Sequence, residues 1–543
     1  RAGRGAGTVG NAGRVLHHGL TTMRETNVKR ALPLLLAGTL LAPVSLAQPR
    51  QEDGVVYFEV DAFRVTGENP LGRAETDALL EPYLGEQAGF LGLANAAEVL
   101  EEEIRSRGYA FHRVIVPQQT ARGTIELRVL VFRIGDVVVE GNRHFDDASV
   151  RSMLPSLVPG ETPNSRALTR DMQRANQHPG KNLTLTLRPS DEVDRVNALV
   201  TVDDTRPHRL FANANNWGSK ETGDERLAVG YQYSNFLGLD QVLTATYTTS
   251  PTEAENVKQY GLTWQIPLYG ASSSLTLLAS YSDVDSGVVA EFFEVTGEGT
   301  VFGATFDHGF LNIGRYRHGI RASLTEKAFD NAVDFLGQDI GTDVRSLPLG
   351  VAYYGGWVNE RANLSFRIGV DRNLPFGDDN ASDAYALARV GADTDWFAVR
   401  AAGTFDYRIS GPWLLRTRWA AQYANDPLIP GEQFGLGGER SVRGFEQRVD
   451  AADSGITAAV ELWTPRPSEN TNMLLFVDGG VGERHQPQVG QEAHPDLLGA
   501  GIGYRWRPNE TFSASLDWAW IVEGTSDASD GEKRLHFNLT ALF

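Results

Sequence analysis

From Arg209 to Phe543 the sequence keeps a hydrophobic period of two, and this constrains the fold more than any other feature of the chain. Tyr260, Leu262, Trp264, Ile266 and Leu268 alternate with Gln259, Gly261, Thr263 and Gln265. Ala362, Leu364, Phe366, Ile368 and Val370 alternate with Asn363, Ser365, Arg367 and Asp371. Such spacing belongs to pleated strands with one dry and one wet face. A soluble sandwich carries the same pattern, so alternation alone leaves sandwich and barrel open. Connection lengths decide between them. About sixteen strands fit the pattern, and their connections alternate in length. Phe236 to Asp240, Tyr269 to Ala271, Asn359 to Glu360, Ser410 to Gly411 and Pro508 to Glu510 are short. Asp285 to Thr300, Ala328 to Arg345, Arg372 to Asp393, Ala424 to Ser454 and Glu483 to Pro495 are long, and polar where they contain Asp378, Asp379, Asn380, Ser382 and Asp383. Short turns at one end and long loops at the other are the mark of an outer-membrane barrel, and an even strand number returns the chain to its starting side. The final segment, Leu535, Phe537, Leu539, Ala541 and Phe543, is apolar at every second position and ends on an interfacial aromatic.

Composition removes several function classes. Only one run of apolar residues, Ala31 to Ala47, approaches membrane-spanning length, which excludes a helical membrane bundle. It follows Arg24, Lys29 and Arg30 and ends in Ser45, Leu46, Ala47, the order of a secretory signal peptide, so residues 23–47 are read as that signal with cleavage before Gln48. Residues 1–22 precede Met23 and are read as an upstream extension. A net charge of -19 argues against nucleic acid as a partner. The absence of cysteine excludes disulfides, thiol catalysis and Cys-ligated zinc.

Between the signal and the barrel the pattern is α+β and repeats. Val65, Thr66, Gly67, Glu68 and Asn69 are echoed by Val139, Glu140, Gly141 and Asn142. Residues 55–133 and 134–208 each read as a βααββ module with a three-stranded sheet. In the first, a helix from Ala94 to Arg107 stops at Gly108, and strands follow at His112 to Gln118 and Thr124 to Phe132. In the second, Leu168, Met172 and Ala175 mark a helix before strands Leu183 to Arg188 and Val196 to Val202. A small sheet leaves an edge that can template another chain's backbone. The candidate edges carry His112, Val114, Val116 and Gln118, and Leu183, Leu185 and Leu187. Two inert spacers would share this pattern.

The long loop before Gly455 contains Val442, Arg443, Gly444 and Phe445, and a later strand reads Phe476, Val477, Asp478, Gly479, Gly480. VRGF in such a loop followed by FVDGG resembles the BamA/FhaC superfamily of outer-membrane assembly and secretion barrels. The two preceding modules look like POTRA domains. Together with Asn216, Trp217, Gly218, Thr222, Gly223 and Arg226 at the barrel's opening, they are most similar to two-partner secretion transporters, the TpsB or ShlB/FhaC/HecB family. The resemblance, which covers about Tyr57 to Phe543, implies POTRA modules followed by a transmembrane barrel of about 16 antiparallel strands. It implies a pair between Arg443 and Asp478 with the loop folded into the lumen, a planar guanidinium being matched to a carboxylate. Val442, Gly444, Phe445 and Gly480 complete that lock. In such a barrel Leu535, Phe537, Leu539 and Phe543 stand as the C-terminal assembly signal, with outer-membrane lipid and the barrel-assembly machinery as partners. About nine residues separate Gln48 from the first strand, too few for the plug helix common in the family, so the folded-in loop alone is expected to occlude the bore.

The expected function is export of an unfolded, β-rich exoprotein resembling a haemolysin or adhesin, captured in the periplasm along the two sheet edges. No catalytic site, metal, cofactor or nucleotide is expected. Gly180 and Lys181 lack the upstream glycine of a phosphate loop, Ser441 and Ser454 sit in no nucleophile elbow, and Asp283 and Asp285 fall short of a calcium loop. An insertase for other barrels is the alternative that the superfamily allows, although two modules are few for it. A passive porin leaves the modules unexplained.

Overall fold

The computed structural model describes residues 51–543, apart from 53–54, 121–122, 220–221, 256, 284–286, 290–292, 296–298, 330–333, 336–337, 340–342 and 526–527. The signal peptide, its cleavage position, the upstream extension, residues 48–50 at the start of the stretch in which a plug would lie, and Asp285 fall outside them. Among the described residues the chain divides into two compact units, an α/β unit that ends at Asp204 and a barrel unit from Thr205 to Phe543.

In the α/β unit the first module has five strands, where a three-stranded sheet was expected. Its elements are β1 (Gln51–Glu52), β2 (Val55–Gly67), α1 (Arg73–Leu80), β3 (Gly85–Ala88), α2 (Gly89–Ser106), β4 (His112–Ile115) and β5 (Gly123–Val131). The extra strands follow from the length of β2. Its C-terminal half runs parallel to β5, and the backbone left over in its N-terminal half is paired by β1 and β3. A second correction concerns β4, which ends at Ile115, so Val116 and Gln118 lie outside the edge strand. Pro117 has no N–H to donate and forces its neighbour away from regular pairing. The Gln119 side chain takes the strand's place, donating to the Glu126 carbonyl and accepting from its N–H, each at 2.7 Å.

The second module has the expected order: β6 (Arg133–Glu140), α3 (Asp147–Ser152), α4 (Ser165–Ala175), β7 (Lys181–Pro189) and β8 (Arg195–Asp204). Asp146 and Asn164 cap the two helices through their side chains. The central strand β8 is parallel to β6 and antiparallel to β7, which leaves β7 at the edge with Leu183, Leu185 and Leu187.

Sixteen strands close the barrel. They are β9 (His208–Asn215), β10 (Arg226–Phe236), β11 (Gln241–Thr249), β12 (Gln259–Leu268), β13 (Ser273–Ser282), β14 (Gly299–Gly309), β15 (Tyr316–Phe329) and β16 (Val344–Ser346 with Pro348–Val358). Then follow β17 (Ala362–Asn373), β18 (Phe397–Ser410), β19 (Trp413–Ala424), β20 (Ser454–Trp463), β21 (Thr471–Glu483), β22 (Asp496–Trp506), β23 (Phe512–Glu523) and β24 (Lys533–Leu542). Every neighbouring pair is antiparallel, and β24 closes on β9 through Asn538–Leu542 opposite Asn215–Phe211. Phe543 lies past the last strand yet exchanges two backbone hydrogen bonds with Leu210, at 2.8 and 3.1 Å. Beyond Asn215 the seam passes to a side chain, with Asn216 donating to the Leu535 carbonyl at 2.6 Å and accepting from Phe537 N–H at 2.9 Å.

The period of two becomes two environments. Leu262, Ile368, Val370, Leu475, Val477, Ile502, Leu535 and Leu539 point outward and are exposed, a display that water would punish and that lipid solvates. Inward positions carry ion pairs such as Arg321–Asp307 and Arg416–Asp406, at 2.8 and 2.7 Å. Among the described residues no helix is long and apolar enough to cross a membrane. Trp357, Tyr407, Trp413, Trp506, Phe512 and Phe543 are exposed near the end with the short turns, where aromatics anchor a barrel at the interface.

Candidate functional site

The connection between β19 and β20 does not stand off the barrel. Phe434–Leu436 pairs antiparallel with Asp450–Ala452, which makes the loop a hairpin with Gly437 to Val449 at its tip. Val442 and Phe445 bury themselves there with Leu436, Leu497 and Ile521, so the hairpin carries an apolar knob pressed on the inner wall. Gly444 has φ +109°, a backbone that side chains rarely adopt, and a Cβ there would meet Ile521. Its N–H donates to His536 Nε2 on β24 at 3.0 Å, which assigns that nitrogen an unprotonated, accepting role.

Arg443, at the tip, is fully buried. Its Nε donates to Asp478 Oδ2 at 2.6 Å, its Nη2 to Asp478 Oδ1 at 2.8 Å, and its backbone N–H to Oδ2 at 3.1 Å. Glu461 lies 3.0 Å from Nη2 and Asp517 3.7 Å from Nη1. The guanidinium carbon sits 3.5 Å from the centre of the Phe476 ring, a cation–π stack. Burial would lower the pKa of Arg443, but the three carboxylates outweigh it and hold the group above its ordinary value. Two further cations balance the cluster: Arg418 reaches Glu461 at 3.2 Å and Arg505 reaches Asp517 at 2.8 Å. Three cations thus face three carboxylates on β20, β21 and β23. Removing one member of such a buried set strands opposite charge at a cost of roughly 3–5 kcal/mol.

Between β21 and β23, strand β22 presents Gly499, Gly501 and Gly503 to the lumen. A Cβ on Gly499 would lie 2.1 Å from the Arg443 carbonyl oxygen, so loop backbone rests directly on strand backbone there. Gly480 faces the same space, and a Cβ built on it would lie 3.1 Å from Val442 Cγ2.

A second grip holds the base of the hairpin. Asp453, fully buried, takes a fork from Arg389 of the β17–β18 loop, whose Nη2 lies 2.8 Å from Asp453 Oδ2. It also accepts from Leu428 N–H at 2.9 Å and His485 N–H at 2.8 Å, joining three long loops. Glu432 reaches Lys327 at 2.9 Å and Arg400 at 3.1 Å. Burial raises the Glu432 carboxyl, yet these two cations outweigh it and keep it below the usual carboxylate range. Above them Tyr385, Trp396, Leu428 and Ile429 form an apolar cluster. Arg389→Ala should loosen this cap by roughly 3–5 kcal/mol, and faster protease cleavage of the long loops on intact cells is the measurement that checks it.

Val442, Arg443, Gly444, Phe445, Asp478 and Gly480 therefore meet at one place in the bore. The other singled-out residues lie elsewhere. His112 and Val114 are on β4, Leu183, Leu185 and Leu187 on β7, and Leu535, Phe537 and Leu539 on β24. Sequence reasoning missed Glu461, Asp517, Arg418, Arg505 and the Arg389–Asp453 fork, and it read Phe476 as part of the FVDGG motif without its stack on Arg443. Two signals could have found part of the cluster: Glu461 interrupts an apolar strand in its inward phase, and Gly499, Gly501 and Gly503 alternate within β22.

Residues 196–506, more than half of the chain, match the family model described as haemolysin secretion/activation protein ShlB/FhaC/HecB. Residues 58–131 match the ShlB-type POTRA domain. The heme/hemopexin transporter protein HuxB of Haemophilus influenzae is 22% identical over 419 residues, covering 75% of this chain and 73% of that protein. The outer membrane transporter CdiB of Escherichia coli is 21% identical over 406 residues, covering 73% of this chain and 67% of its own length. The solved structure of CdiB from Escherichia coli superposes with a TM-score of 0.76 at 18% identity over 93% of both chains. That of CdiB from Acinetobacter baumannii gives 0.69 at 15% identity, over 92% of this chain and 93% of the other. A closed sixteen-stranded barrel behind POTRA-type modules, with a hairpin pinned inside it, is thus joined to a family match over most of its wall, and the chain belongs to the haemolysin secretion/activation family ShlB/FhaC/HecB.

Proposed function

We propose that this protein is the outer-membrane translocator of a two-partner secretion pair, with residues 55–133 and 134–208 as two POTRA domains and 209–543 as the pore. The barrel lies in the bacterial outer membrane and the POTRA-type modules in the periplasm. The secreted partner travels unfolded: its backbone is taken up along a POTRA sheet edge, and it passes the bore when the Arg443 hairpin moves. Main-chain pairing gives affinity without demanding one sequence. Folding of the partner outside supplies the direction of travel, no nucleotide being required. The chain acts as a transporter and performs no catalysis. Outer-membrane lipid and the barrel-assembly machinery are its partners during insertion, the latter reading Leu535, Phe537, Leu539 and Phe543.

The hairpin inside the bore carries this reading. A passive porin keeps its lumen open to solutes, whereas here a buried, charge-balanced pin fills the inner wall and fixes the loop in one register, a role that buried ion pairs serve better than stability. Deletion of the gene in its own host should remove one large exoprotein from the culture medium, and re-expression should restore it. Depletion of many outer-membrane barrels at once would identify an insertase instead, and an unchanged set of secreted proteins would overturn the proposal.

A further inference from the structure

The sheet edge of the first module is already occupied by a side chain of its own helix. Glu101, on α2, is buried, and its Oε2 accepts from the Val114 N–H of β4 at 3.0 Å. That N–H points away from β5, toward the side on which a further strand would add, and the Val114 carbonyl points the same way. The carboxylate therefore stands where an incoming strand would put its carbonyl oxygen. Arg113 donates to its Oε1 at 3.0 Å, and Arg105 donates to the same oxygen. Next to it, α2 and β4 enclose an open groove of about 610 Å³. Ala94, Ala97 and Ile115 line it, and Phe90, 65% exposed, stands at its rim. Glu98 and Glu102 line it as well and have no cationic partner among the described residues.

The second module shows the same device in a tighter form. The Asn176 side chain accepts from Leu183 N–H at 2.6 Å and donates to the Leu183 carbonyl at 2.9 Å, so both outward groups of that β7 residue are engaged. One bond covers Val114 and two cover Leu183, which makes β4 the easier edge to open.

Building on the capture reading proposed above, we propose that Glu101 is a displaceable cover of the β4 edge. The segment that displaces it is an extended stretch of the exported partner, apolar at alternate positions to fill the groove, with a Lys or Arg beside Glu98 and Glu102. The cover keeps the edge from pairing with unrelated strands, the hazard that exposed edges carry, and sets a threshold that only a segment matching the groove crosses.

The test uses the full-length protein in detergent and a labelled ten-residue peptide of alternating valine and threonine with one central lysine, read by fluorescence anisotropy. Glu101→Ala should bind this peptide about tenfold more tightly than the unchanged protein, since one charge-assisted hydrogen bond no longer has to be broken. The substitution also takes a negative charge from the groove, which works against a lysine-bearing peptide, so tightening reports the freed N–H. A peptide with the lysine changed to glutamate should bind several-fold more weakly to both proteins. A peptide N-methylated at alternate amides should bind neither. If Glu101→Ala gives no tightening while methylation still abolishes binding, the cover is wrong and edge capture stands. If methylation changes nothing, main-chain addition is wrong and the capture reading falls with the cover. Equal binding of the lysine and glutamate peptides would overturn the assigned charge of the partner.

Discussion

Arg443→Ala is expected to leave the barrel inserted and heat-resistant while secretion of the partner falls by about tenfold or more, because the uncompensated charge left behind is worth roughly 3–5 kcal/mol. The wall does not depend on the hairpin, since its backbone ladder runs unbroken from β9 to β24 and closes on itself. The tip does. Without the guanidinium, Asp478, Glu461 and Asp517 share only Arg418 and Arg505, and Asp478 keeps one backbone donor from the loop. The carboxylates then repel, and Val442 and Phe445 lose the charge that seats them. The hairpin wanders within the bore instead of holding one register. Ion conductance through single barrels in a planar bilayer should rise in the same variant. Arg443→Lys should restore little, because an ammonium cannot serve both oxygens of Asp478 and Glu461 together. Secretion by Arg443→Ala at the unchanged level would remove the pin from the transport mechanism.

The barrel could be read from the sequence because its signal is local. Alternation in Tyr260 to Leu268 or Ala362 to Val370 requires only that neighbouring residues see opposite faces, and loop-length asymmetry adds the membrane side. The Arg443–Asp478 pair became legible only through a resemblance, since nothing in a strand's own period says which loop enters the lumen. The rest of the cluster is assembled by register across strands. Ala459 stands opposite Asp478, which brings Glu461 near Arg443, and the Asp517–Gly503 pairing brings in a third carboxylate. Those registers are long-range facts that period two does not encode. The Arg389–Asp453 fork is further from reach, because both partners lie in connections without periodicity, sixty-four positions apart. In the α/β unit the βααββ order was readable from helix and strand periods. The extra strands of the first module were not, because they answer to unpaired backbone in β2 and leave no side-chain pattern. The early end of β4 at Ile115 did have a visible cause in Pro117.

A covalent tether should stop transport entirely, and this chain is well suited to the experiment because it contains no cysteine of its own. A Cβ on Gly480 would lie 3.1 Å from Val442 Cγ2, which is one bond from Val442 Cβ. The separation of the two Cβ atoms therefore falls near the roughly 3.5–4.5 Å that a disulfide spans. Val442→Cys combined with Gly480→Cys should cross-link the hairpin tip to β21 under oxidising conditions, without altering Arg443 or its three carboxylates. The oxidised barrel should secrete no detectable partner, and a reductant added to the same cells should restore export within the time needed for thiol exchange. The reduced form of the double variant is its own control for any loss of packing around Leu436 and Thr457. Loss of export that a reductant does not reverse would mark damage to packing and not a tether. Equal secretion by the oxidised and reduced forms would mean that the hairpin stays seated while the partner crosses, and the path would then have to run beside the pin.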